Sequence, residues 1–160
     1  MNSTARTLIY STAFAVGLAV SAALATAQAP RVVTLKATDD MKYDITSITA
    51  KPGEAITVKV MTIGKIPKFA MAHNFVLLKQ GSNAKAFADA AMKAQATAHI
   101  PPALKGEVLA STALAGPGET VEVTFKAPTV PGKYEFICSF PGHYAAGMKG
   151  VLVVAGNKKT

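Results

Sequence analysis

The chain has one cysteine, no tryptophan and three histidines in 160 residues. With Cys138 alone, no intrachain disulfide can form, so stability must come from packing. Three histidines are too few for an enzyme built on several histidine-rich metal centres, and no enzymatic activity is expected. Acidic residues are scarce as well, nine against seventeen lysines and arginines, for a formal net charge of +8. A basic balance suits acidic proteins, anionic surfaces or nucleic acid. The lysines are scattered, however: Lys36, Lys51, Lys79, Lys105, Lys126 and Lys149 read as a solvated surface rather than a binding stripe. The length predicts one domain, long enough to bury a core.

Residues 8–24 are apolar or small and carry no charge. Arg6 precedes them and Ala25-Thr26-Ala27 follows, an A-x-A cleavage signal. Residues 1–27 therefore read as a signal peptide, leaving a domain of residues 28–160 exported to the periplasm. An uncleaved anchor is the alternative, because the stretch is near the lower length limit of about 17 residues for a spanning helix. Membrane contact is expected only in that case. Export also argues against nucleic acid. It makes Cys138 informative, since a lone thiol in an oxidising compartment needs burial or a metal.

Twelve glycines and nine prolines fall mostly between short apolar runs. Strands are predicted over 31–37, 45–48, 55–61, 73–79, 120–126, 133–138 and 150–154. In the third, Ile56, Val58 and Val60 alternate with Thr57 and Lys59, the period of a half-buried strand. An irregular connection is expected over 63–69 and a mixed segment over 104–114. The Ala-rich stretch 82–98, with Phe87, Ala91 and Ala94 at helical spacing, predicts one helix capped by Ser82 or Asn83 and ended by Ile100-Pro101-Pro102. The tail 156–160 should fray. Many short strands between Gly/Pro turns predict an all-β sandwich or barrel with one helical insertion.

The chemistry concentrates near the end. Cys138-Ser139-Phe140-Pro141-Gly142-His143-Tyr144-Ala145-Ala146-Gly147-Met148 places three candidate metal ligands on one loop between strands. Upstream, Met71-Ala72-His73-Asn74-Phe75 begins another strand. Thiolate and thioether are soft ligands that suit Cu(I), and imidazole also suits Cu(II). Taken singly, Cys138, His73, His143 and Met148 would each be ordinary core residues. Together, the Cys-x4-His-x4-Met loop and the distant His-Asn point to one copper ion. His99 has no second ligand at useful spacing, and solvation at a helix end explains it. Met41, Met61 and Met92 read as packing, Met71 as part of an apolar rim.

The Cys-x-Phe-Pro-Gly-His loop, the following Met-Lys-Gly and the upstream His-Asn-Phe-Val resemble the cupredoxins, the blue-copper family, most closely its azurin and auracyanin-like members. The resemblance implies a Greek-key β-sandwich over most of the domain and one type 1 copper. His73 and His143 would bind it through Nδ1, Cys138 through sulfur, and Met148 weakly along the axis. It also implies a backbone carbonyl near the metal from the residue before the first histidine, here Ala72. Asn74 would tie its segment to Ser139, and the amides of Asn74 and Phe140 would donate to the Cys138 sulfur.

Two departures stand out. Four residues separate His143 from Met148, a spacing closer to plastocyanin and auracyanin than to azurin, and the azurin disulfide cannot form. The family's electron port implies docking around His143 by Met71, Phe140, Pro141, Tyr144, Ala145 and Ala146. The expected activity is one-electron shuttling by a monomer between redox proteins such as c-type cytochromes or oxidases, with no small-molecule substrate. A periplasmic copper carrier or buffer is the alternative, although such carriers expose their ligands.

Overall fold

The computed structural model describes residues 28–156. The signal-peptide assignment and residues 157–160 of the tail lie outside the described residues. Nine strands form two sheets: β1 (Arg31–Thr38), β2 (Lys42–Tyr43), β3 (Ser47–Ala50), β4 (Ala55–Ile63), β5 (Val76–Leu78), β6 (Val108–Ser111), β7 (Thr120–Lys126), β8 (Gly132–Ile137) and β9 (Lys149–Val154). The first sheet runs β2-β1-β4-β7 and the second β3-β9-β8-β5-β6. β1 pairs in parallel with β4, and β3 with β9, so the chain crosses between sheets instead of meandering. This is the all-β sandwich that the turn spacing predicts.

Alternation decides which faces meet. Ile56, Val58 and Val60 of β4 are fully buried, together with Leu35 of β1. From the second sheet Leu77, Phe136 and Leu152 close the same core. Thr57, on the other face of β4, is also buried, and its hydroxyl is satisfied by that of Thr124 across the β4–β7 pair, 2.7 Å away. Gly150 is required by contact: a Cβ there would lie 2.2 Å from the Phe136 ring and 2.5 Å from the Thr46 carbonyl oxygen.

The strand expected over 45–48 is shifted to Ser47–Ala50, with the two-residue β2 ahead of it. The strand expected over 73–79 shrinks to Val76–Leu78, and His73 makes only an isolated bridge to Ala115. The helix expected over 82–98 is shorter, α1 (Ala84–Ala91), and the Asn83 side chain caps it by accepting from the Ala86 amide. α1 lays Ala84 and Phe87 on Val76, Leu78 and Ile137. Beyond Ala91 the chain tightens into a 3-10 turn, Gln95–Thr97, and then reverses through Ala98 and His99, both at positive φ (52° and 63°). That reversal turns His99 inward.

Candidate metal centre

His73, Cys138 and His143 come from two distant stretches of chain, yet one potential ligand atom from each lies within 4.8 Å of the others. The meeting follows from strand order. Cys138 leaves β8 at the point where β8 pairs with both β5 and β9. His73 precedes β5 and is tied to Ala115 by two backbone hydrogen bonds of 2.9 and 2.8 Å. The Cys138 amide donates to the Met148 carbonyl (3.0 Å), and the Met148 amide donates to the His143 carbonyl (2.9 Å), which cinches the loop shut. Met148 is fully buried, so all four residues face the interior.

The site is dry. His73 and Cys138 are fully buried and His143 is 2% exposed. Burial pushes the Cys138 thiol up to about 11, while the backbone amides of Asn74 and Phe140 and the Tyr43 hydroxyl pull partly the other way. Burial likewise holds His143 down at about 4, with His73 and His99 adding like-charge repulsion, and it lowers His73. The groups are therefore neutral near pH 7 when no metal is bound, and a metal must displace the thiol proton. Cys138 Sγ stands 3.4 Å from His143 Nδ1 and 3.9 Å from the Ala72 carbonyl oxygen.

Asn74 braces the centre. Its Nδ2 donates to Ser139 Oγ and its Oδ1 accepts from the Ser139 amide, both at 2.9 Å. Tyr43, which the sequence reading passed over, is also buried, and its hydroxyl donates to the Asn74 carbonyl. Its only sequence signal was the polar–apolar step from Lys42 to Tyr43.

His99 is corrected. It is buried rather than solvated, with Nδ1 2.8 Å from the Ala91 carbonyl oxygen at the end of α1. Its ring meets Phe140 edge-on at 5.2 Å, and Phe140 lies 4.9 Å from the His143 ring. Around this stack Met71, Phe140, Pro141, Tyr144 and Ala146 are half-buried and Ala145 is exposed. Two further apolar side chains join that surface: Phe69, 87% exposed, shares a cleft with Pro141 and His99, and Met92, 52% exposed, borders it too. Met92 is thus not the packing residue the sequence suggested, because α1 has ended before it and its side chain stands half in solvent. Met61, also read as packing, is 39% exposed on the outer face of β4.

Both ring nitrogens of His73 are buried with no hydrogen-bond partner among the described residues. Such an orphaned imidazole is costly in the interior unless something ligates it. One thiol, two imidazoles and a nearby thioether form the donor set that suits copper in either oxidation state. Fold and site together define a single-copper β-sandwich protein of the type 1 class.

Comparison with known proteins agrees. Residues 30–155 match the family described as copper binding proteins, plastocyanin/azurin family. Auracyanin-A of Chloroflexus aurantiacus is 37% identical over 117 residues, 72% of this chain and 68% of that protein. Azurin of Alcaligenes faecalis is 37% identical over 123 residues, 75% of this chain and 94% of that protein. The dithionite-reduced auracyanin of Roseiflexus castenholzii superposes with a TM-score of 0.70 at 32% identity, covering 81% of this chain and all of that one. The chain belongs to the plastocyanin/azurin family of copper-binding proteins. When bound, copper would supply a one-electron couple; the chain supplies orientation and dryness.

Proposed function

We propose that the protein is a periplasmic one-electron shuttle between redox proteins such as c-type cytochromes or oxidases. The observation that carries this reading is burial: the three clustered ligands are at most 2% exposed. A centre so enclosed has no open position for a substrate, which favours electron transfer over catalysis. It also disfavours a copper carrier, which must expose its ligands to release the ion. Of the three, only His143 has any exposure, and it lies beneath Phe140. Electrons pass through that edge, and Phe69, Pro141, Tyr144 and Ala145 form the apolar contact around it.

The test is stopped-flow electron exchange between the copper-loaded protein and a reduced c-type cytochrome. The exchange should be rapid. Ala145→Asp should slow it about tenfold or more while leaving the visible spectrum unchanged, because a charge buried in an apolar contact is desolvated without a partner. No exchange in the parent protein would overturn the shuttle reading, and an unchanged rate in the variant would overturn the docking edge.

A further inference from the structure

Lys79, Lys133 and Lys149 are far apart in sequence, and Lys79 and Lys149 read there as scattered surface charges. Sheet order brings them together. β5, β8 and β9 are neighbours; Lys79 directly follows β5, Lys133 lies in β8 and Lys149 opens β9. All three line one open cleft of about 440 Å³, with Ser82, Glu135 and Val151. The lysines are exposed, and none joins any of the four ion pairs among the described residues. Among the described residues Glu135 is the sole carboxylate on the walls. Three lysines against one acid on these walls leave an uncompensated positive field.

The cleft also connects to the copper loop. The Lys149 ammonium lies 4.5 Å over the Tyr144 ring and 3.5 Å from its hydroxyl. Tyr144 immediately follows His143. Positive charge therefore runs from the cleft to the rim of the electron-transfer edge.

We propose that this cleft docks a carboxylate-rich loop or helix of an acidic partner protein and so orients the partner against the Tyr144–His143 edge. Its positive charge, set between strands of one sheet and next to the Tyr144 rim, complements carboxylates on a protein segment that reaches both. The identity of the partner as a redox protein rests on the shuttle reading; the recognition of carboxylates does not.

The experiment uses the full, copper-loaded protein in its reduced, diamagnetic state, labelled with 15N and titrated with a glutamate decapeptide at low ionic strength. The amides of Ser82, Glu135 and Val151 should shift saturably, and the shifts should fade when salt is raised to about 150 mM, where charges are screened beyond roughly 8 Å. The double variant Lys79→Glu/Lys133→Glu should weaken binding at least about tenfold. Lys51→Glu/Lys126→Glu, in the β3–β4 turn and at the end of β7, both outside the cleft lining and with the same charge change, should leave it nearly intact. Equal weakening in both variants would reduce the effect to net charge and overturn the proposal, as would shifts confined elsewhere. Binding to phosphatidylglycerol vesicles with the same lysine dependence, but none to the peptide, would assign the cleft to a membrane and overturn it as well. Failure of the shuttle reading would look different: the peptide still binds, but the oxidised protein takes no electron from a reduced cytochrome.

Discussion

Asn74 and Ser139 hold each other by two hydrogen bonds of 2.9 Å, one in each direction through the Asn74 carboxamide. They lie 65 positions apart in the chain, each adjacent to a metal-ligand candidate, His73 and Cys138. The pair is a clasp between the two stretches that build the centre. Asn74→Ala leaves the buried Ser139 amide without an acceptor, a loss of about 2–3 kcal/mol. Urea denaturation of the metal-free variant should show it. Copper affinity should also fall by about tenfold or more, because residues that orient ligands matter nearly as much as the ligands. Unchanged affinity and spectrum would dismiss the clasp.

Cys138→Ser removes the only thiol. The copper-loaded parent should show an intense visible absorption saturating at one metal per chain and bleached by reductant. The variant should show none, because an alkoxide or hydroxyl is too hard to replace a thiolate on this metal. Visible titration with Cu(II) checks this.

The stability of the metal-free protein should depend on pH on both sides of neutrality. His143 is held at about 4 against an ordinary 6.5, so the unfolded chain binds its proton first as pH falls. The stabilising difference is complete above about 6.5 and is lost between there and 4, on the order of 3 kcal/mol. His73 is lowered too and adds in the same sense. On the alkaline side, Cys138 at about 11 against 9.0 makes the unfolded chain lose its proton first, so stability falls above pH 9. Denaturation midpoints from pH 4 to 11 should trace a dome between these limits. A flat profile below 6.5 would contradict the burial of His143.

Gly150→Ala forces a methyl group into the Phe136 ring and the Thr46 carbonyl. Backbone cannot yield as a flexible side chain can, so the substitution should cost about 2–3 kcal/mol. Thermal unfolding measures it, and a variant as stable as the parent would mean that β9 can shift without consequence for the neighbouring loop.

The sequence by itself determined what depends on neighbours along the chain. Strict alternation marked β4 and β7, because a strand buries every second side chain whatever lies across from it. Gly-Pro pairs marked the turns, and the ligand candidates were readable because three of them share one loop of graded softness. Helix length and the inner strand edges were less legible. α1 stops at Ala91 because the chain tightens there, the Ala94 amide taking the Ala91 carbonyl in a shorter loop, and His99 reaches the same carbonyl, a contact eight residues away that helical periodicity does not contain.

Tertiary structure alone decided the rest. It buried His99, exposed Met92 and placed the Tyr43 hydroxyl on the Asn74 carbonyl. It also gathered Lys79, Lys133 and Lys149, distant from one another in sequence, into one cleft. The physical reason is common to all four. Sheet order makes neighbours of strands regardless of their separation in sequence, and the energy that selects that order, burial of the shared core, belongs to no single segment.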